Sequence, residues 1–250
     1  MASWYRCSCY SEHLFGTVFS VLARLPSEEH YDDDARGRLQ VVADSSRPIT
    51  LARDQTLPLV EPLATMFPEG RLHRGITIAV HGPGSTSLGF ALTASASSAG
   101  SWIAMVGVAD ANLATAAELG VALERVAVMH PAPAQWSATI AAVVGAFDIV
   151  VFAPCHRVSA GDARRLMARA RERGSVLIML MRMARSWPER VDVELSISTL
   201  RWQGLGQGHG NLRARVARVD MTGRRELARP RQGEFVLPDA SGRLACELHE

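Results

Sequence analysis

Residues 75–89 read Gly75-Ile-Thr-Ile-Ala-Val-His-Gly-Pro-Gly-Ser-Thr-Ser-Leu-Gly89. The first seven are apolar and partly β-branched, which predicts a short buried strand over 75–81. Gly82-Pro83-Gly84 stops that strand, because glycine and proline together favour a turn. The small residues that follow predict a helix over 86–98. The order is therefore strand, glycine-rich turn, helix.

The same order repeats downstream. Apolar runs at 102–108 (WIAMVGV), 125–129 (RVAVM), 148–153 (DIVVFA) and 176–181 (VLIMLM) predict strands, with helices over 111–119, 136–145 and 162–173 between them. In the last helix Ala163, Leu166, Met167 and Ala170 share one face and arginines the other. Short strands alternating with helices imply βαβ units and a parallel sheet. These strands are apolar on both sides, as a sheet covered by helices on both faces requires.

From 191 the pattern changes. Val191, Val193, Leu195 and Ile197 alternate with Asp192, Glu194 and Ser196, which predicts a strand with one wet face. Residues 212–221 alternate similarly, with a phase slip after Val216 that suggests a β-bulge. A last short strand is predicted over 234–237, and 204–210 (GLGQGHG) reads as a flexible loop. Residues 1–46 show no sustained periodicity and read as a poorly ordered extension ending at Ser45-Ser-Arg-Pro48. The expected organisation is that extension, a domain over 47–240 whose α/β core runs to about 190 and whose antiparallel part covers 191–240, and a tail over 241–250.

A strand, a glycine-rich loop and a helix form the setting of the phosphate-binding motif G-x-x-x-x-G-K-[ST]. In that motif backbone amides cradle phosphates, the lysine reaches the outer phosphates and the hydroxyl holds magnesium. Here Gly82 fills the first position and Gly84 lies within the loop, but Ser87 replaces the second glycine. Leu88 stands where lysine belongs and Gly89 where the hydroxyl belongs. An ATPase of this build also needs a magnesium-organising acid at the end of a later strand. The run at 148–153 ends in Ala153, while Asp148 opens it and reads as a strand-start residue. Asp110 is one position late for a water-activating acid after the second strand. The chain is thus expected to be non-catalytic, with no cofactor and no metal. Cys155, His156 and Ser159 are neighbours in one turn, which is not a nucleophile–base arrangement. The eight histidines show no zinc-type spacing.

Composition narrows the classes further. All 27 basic residues of the 250 are arginine, so any mechanism needing a lysine of this chain is excluded. Charge is uneven: residues 1–150 carry 9 Arg against 14 acids, and 151–250 carry 18 Arg against 11. A basic second half can meet nucleic acid or an acidic partner, or form a solvated surface. No apolar run approaches the ~18 residues of a membrane-spanning helix. Residues 14–23 (LFGTVFSVLA) are apolar, but the Glu12-His13 flank is poor for a secretory leader. Cys7, Cys9, Cys155 and Cys246 read as reduced thiols of a cytoplasmic protein.

Several segments, in consistent order over about 57–237, resemble RecA recombinases. These are 68–75 (PEGRLHRG) before the first strand, Gly82-Pro83 at the loop, 119–121 (LGV) before the third strand, and 225–236 (RELARPRQGEFV) late in the chain. The resemblance implies a RecA-like parallel sheet flanked by helices, with an antiparallel β extension at the C-terminus. Where RecA proteins carry DNA-binding loops, this chain has only the short 154–161 and 182–190 (RMARSWPER). That implies loss of filament formation on DNA, and leaves Arg182, Arg185 and Arg190 to touch phosphate or to form a solvated turn. Within this group the lost loop chemistry and 201–210 (RWQGLGQGHG) make the chain most similar to the actinobacterial ImuA-prime type of mutasome accessory protein. That resemblance implies a scaffold of damage-induced translesion synthesis. Its partners would be an ImuB-type inactive Y-family polymerase homologue and, indirectly, an error-prone C-family DNA polymerase, with weak DNA contact and no membrane. Arg201, Trp202 and Trp187 are of the residue types that anchor interfaces. A SulA-like cell-division inhibitor and a nucleotide-binding protein with weak or no ATPase activity are the alternatives.

Overall fold

The computed structural model describes residues 56–108, 111–154, 156–181, 187–205 and 210–246. The expected N-terminal extension and its boundary at 46/47 lie outside these residues. In chain order the elements are β1 (Thr56–Pro58), α1 (Glu61–Ala64), β2 (Arg71–His73), β3 (Thr77–His81), α2 (Ser85–Ser98), β4 (Ile103–Val106), α3 (Leu113–Glu118), β5 (Val126–Met129), α4 (Trp136–Val143), β6 (Ile149–Phe152), α5 (Ala160–Arg173), β7 (Val176–Met181), β8 (Val193–Leu205), β9 (Gly210–Gly223), β10 (Arg231–Val236) and β11 (Ala245–Cys246).

Strands β1 and β2 pair as a small antiparallel sheet. The main sheet runs β11-β10-β9-β8-β3-β7-β6-β4-β5. From β8 to β5 every pairing is parallel, and from β8 to β11 every pairing is antiparallel. The α/β class with an antiparallel C-terminal extension is therefore as the residue pattern predicts. The sheet also continues into 245–246, inside the expected tail.

The two-sided apolar strands separate two cores. Ile78 and Val80 face one side, where α2 lays Leu88, Phe90 and Leu92 against them. Ala79 faces the other side, where α4 and α5 contribute Trp136, Ile140, Leu166 and Met167. Helix α2 is buried along most of its length, so its small residues let it sit close to the sheet. Helix α5 is amphipathic instead, capped by Ser159 at its start and by left-handed Gly174 after its end.

Acidic side chains fasten the amino ends of the parallel strands. Asp148 accepts from Arg74 Nη1 at 2.7 Å and from the Trp102 amide at 2.9 Å. Asp192 accepts from the Thr77 amide at 3.0 Å and from Arg171 Nη2 at 3.3 Å. Asp148 is thus a strand-start anchor, at the end of the sheet away from the Gly82 loop.

The antiparallel pair differs from expectation in two respects. The bulge belongs to β8: Thr199 opposes Ala217 and Arg201 opposes Val216, leaving Leu200 as the extra residue. The phase slip after Val216 marks the point on β9 that faces it. Second, Gly204 and Leu205 belong to β8 and Gly210 to β9, so the strands reach both ends of the expected loop over 204–210, of which residues 206–209 lie outside the described residues. Strand β3 ends opposite Ser196, whereas β8 runs on to Leu205. At roughly 3.3 Å per residue the arm reaches on the order of 30 Å past the carboxyl edge of β3.

Among the described residues no helix is long and apolar enough to cross a membrane.

Candidate functional site

In open parallel sheets of this kind ligands sit outside the carboxyl ends of the strands, where the strand order changes direction. Strand β3 lies at that point, between β7 and β8, and the Gly82 loop follows it.

The loop is a tight turn. Gly82 and Gly84 both have left-handed φ, near 95° and 94°, and the Ser85 amide donates to the Gly82 carbonyl at 3.1 Å. Helix α2 begins at Ser85, so Ser87, Leu88 and Gly89 all lie within its first two turns. Only three residues separate strand from helix, which leaves little backbone to wrap phosphates.

The side chains at the motif positions face inward. Leu88 is completely buried in the α2 core. A Cβ at Gly89 would come within 2.8 Å of Leu180 Cδ2 on β7, so the position that carries a metal-holding hydroxyl in the motif here serves close helix–strand packing. Ser87 is partly exposed on the first turn of α2.

A side chain that the sequence reading did not single out completes the site. Arg215 of β9 lies flat on Gly84, where any Cβ would overlap its Nη1 and Nη2. Its Nη1 donates to the Pro83 carbonyl at 3.0 Å and its Nε to the Leu237 carbonyl at 2.6 Å. Arg215 is 5% exposed, and its Nη2 is buried without a hydrogen-bond partner. Its Cζ also lies over the Trp202 ring, 5.8 Å from the ring centroid. Burial lowers its pKa from the ordinary arginine value. This guanidinium stands at the amino end of α2, which has no capping side chain and no acid in its first turn. Both groups are positive, so the contact is held by the two carbonyls and the aromatic face, with no carboxylate pairing Arg215 among the described residues.

Arg215→Ala is expected to cost about 1–3 kcal/mol, because it strands two carbonyls that accept from a charged donor. Urea unfolding checks the size. A conservative Arg215→Lys change should recover little, since one ammonium cannot reach both carbonyls and also cover Gly84.

The carboxyl ends of β4 and β6 are aromatic. Trp136 meets Phe152 edge-on at 5.6 Å and His156 at 5.1 Å, and Phe152 meets Trp187 at 5.7 Å. Gly107 is left-handed, with the Trp136 Nε1 only 3.3 Å from where its Cβ would be. Among the described residues, rings line the carboxyl ends of β4 and β6, where an ATPase of this build places its acids. Ala153 is half-buried and its amide bonds to the Val106 carbonyl at 3.2 Å. Ser159 Oγ accepts from the Asp162 amide at 3.1 Å and so serves as a helix cap. Trp187 packs on the second core, while Trp202 is 45% exposed and Arg201 and Arg190 are exposed. Asp110, Cys155, Arg182 and Arg185 lie outside the described residues. Among the described residues no three His, Cys, Asp or Glu side chains gather as a metal site.

The family described as "MT3502 N-terminal domain" matches residues 65–189, half of the chain. "Uncharacterized protein Rv3395c" of Mycobacterium tuberculosis is 38% identical over 98 residues, which are 38% of this chain and 48% of that protein. The match therefore spans about half of that curated relative's length. Two solved structures are similar in fold. The RadB recombinase superposes with a TM-score of 0.56 at 14% identity, over 75% of this chain and 97% of that one. A KaiC-like protein from Pyrococcus horikoshii does so with a TM-score of 0.52 at 13% identity, over 78% and 97%. The core is RecA-like.

Proposed function

The chain belongs to the MT3502 N-terminal domain family, and from that premise we propose that it is a RecA-like core without ATPase chemistry that works by binding other macromolecules. The observation that carries this reading is the filled loop: Leu88 is turned into the core and Arg215 is laid on Gly84. A phosphate held by a P-loop needs an open cradle of amides and a lysine. Here the cradle is a three-residue turn and the chain has no lysine.

The resemblance to ImuA-prime proteins supplies the setting. The protein acts as an accessory of damage-induced mutagenic translesion synthesis, holding an inactive Y-family polymerase homologue and, through it, an error-prone C-family polymerase. What supports this reading is the RecA-like fold of the core together with the sequence segments that carry the resemblance.

Two measurements test the reading. Titration with a fluorescent ATP analogue and magnesium should show no saturable binding, and phosphate release should stay at background; turnover above background would sink the non-catalytic reading. Affinity capture of the tagged chain from DNA-damaged cells should recover the polymerase homologue. Recovery of a tubulin-like division protein without polymerase would shift the assignment to a division inhibitor.

A further inference from the structure

The β8–β9 arm carries features that neither the RecA-like core nor the polymerase partners account for. Residues 200–204 and 210–213 are exposed throughout. One face of the arm is set by pairing. Trp202 opposes Arg215 across the two strands, so both side chains lie on the same side. Arg213 follows two residues from Arg215 on that side, and its aliphatic stem crosses Gly204, where a Cβ would come within 2.8 Å of Arg213 Cγ. Gly204 is left-handed and bare, and thereby leaves room for that stem.

We propose that this face is a platform for single-stranded nucleic acid, with Trp202 stacking a base and Arg213 contacting the backbone phosphate beside it. Three observations carry the assignment. First, Trp202 remains 45% exposed although its ring rests on Arg215. Arg215 is itself fixed to the Pro83 and Leu237 carbonyls. The indole is thus pre-positioned, with the cation on one side and area left for a flat π-system. Second, residues 195–219 contain no Asp or Glu, and of their four arginines Arg213 and Arg215 share the Trp202 face, while Arg218, on the opposite face, is paired with Glu234 of β10. A protein surface built for mixed partners interleaves both signs, whereas a polyanion favours one. Third, Arg215 is a buried cation unpaired with any carboxylate among the described residues, so its field adds to that of Arg213. Aromatic rings interleaved with arginine on an open ribbon are what sequence-tolerant single-strand binding uses, because every base has a π-face and every linkage a charge. A closed duplex offers no unstacked base to the indole.

The inference does not depend on which polymerase partners the protein has. Its test is fluorescence anisotropy of a labelled poly-thymidine strand with the full chain, against a labelled duplex, over a salt series. The expected result is salt-dependent binding of the single strand in preference to the duplex. Trp202→Ala should weaken it on the order of 10-fold and Trp202→Phe much less, since stacking is retained. Arg213→Ala should lower the slope of log affinity against log salt by about 0.7. Arg224→Ala, removing an arginine just past the far end of β9, should leave the Trp202 effect intact. Circular dichroism confirms that each variant is folded, and Trp202→Phe preserves the test if Trp202→Ala is not. Absence of single-strand binding at low salt overturns the proposal. So does binding that ignores both Trp202→Ala and Arg213→Ala, which would place the nucleic acid elsewhere. Loss of a captured protein from Trp202→Ala without any strand binding would make the arm a protein dock and overturn it as well.

Discussion

Gly82→Ala is expected to destabilise the domain by more than about 4 kcal/mol. Two causes add. Gly82 has φ 95°, which an L-residue adopts at a cost of about 1–2 kcal/mol. The new Cβ would also overlap the Ile197 carbonyl oxygen of β8, and a backbone atom cannot rotate away as a side chain can. Strand β8 is held in register on β3 as far as His81 and Ser196, one residue before the clash. Relief therefore requires separating β8 from β3, which detaches the antiparallel extension from the core. Gly100→Ala is the control. Gly100 has φ 101° but nothing within 4 Å of its would-be Cβ, so only the conformational cost applies. Urea midpoints of the two variants separate clash from strain. If they match, β8 does not press on the loop and the account of the filled site fails with it.

That pressure explains why the site was only partly legible in sequence. The core strands were legible because burial on both faces forces unbroken apolar runs, as in Val176–Met181. The lost motif was legible because Leu88 and Gly89 are wrong for phosphate chemistry wherever they point. Arg215 was not. Its partners Pro83 and Leu237 lie 132 and 22 residues away, and an arginine in an alternating strand carries no sign of a buried end. The arm was hidden for a related reason. Periodicity reports burial, and residues 200–204, exposed on both faces, have none to report. The bulge shows the limit of a one-strand pattern. A slip after Val216 reveals that two strands fall out of phase, but which of them holds the extra residue is settled by the pairing with Leu200.

Restoring the motif lysine is expected to damage the protein and to recover no activity. Leu88→Lys replaces a fully buried leucine by an ammonium in the α2 core. The loss of packed apolar volume and the burial of an unpaired charge together should cost about 3–5 kcal/mol. Adding Gly89→Thr makes matters worse, because its Cβ meets Leu180 Cδ2 at 2.8 Å. The pH dependence identifies the cause. Desolvation lowers the pKa of a buried lysine in the folded state, while the unfolded chain keeps about 10.4. Between those two values the unfolded state binds more protons, so the stability of the variant rises with pH until about 10.4. A lysine that escaped to solvent would show no such rise. The parent has no lysine, so the single new side-chain amine can be followed directly by nitrogen-15 NMR. A depressed titration together with background phosphate release is the expected pair of results. A normal titration with magnesium-dependent ATP turnover would mean that the loop opens to nucleotide, and that Arg215 is a movable gate instead of a fixed filling.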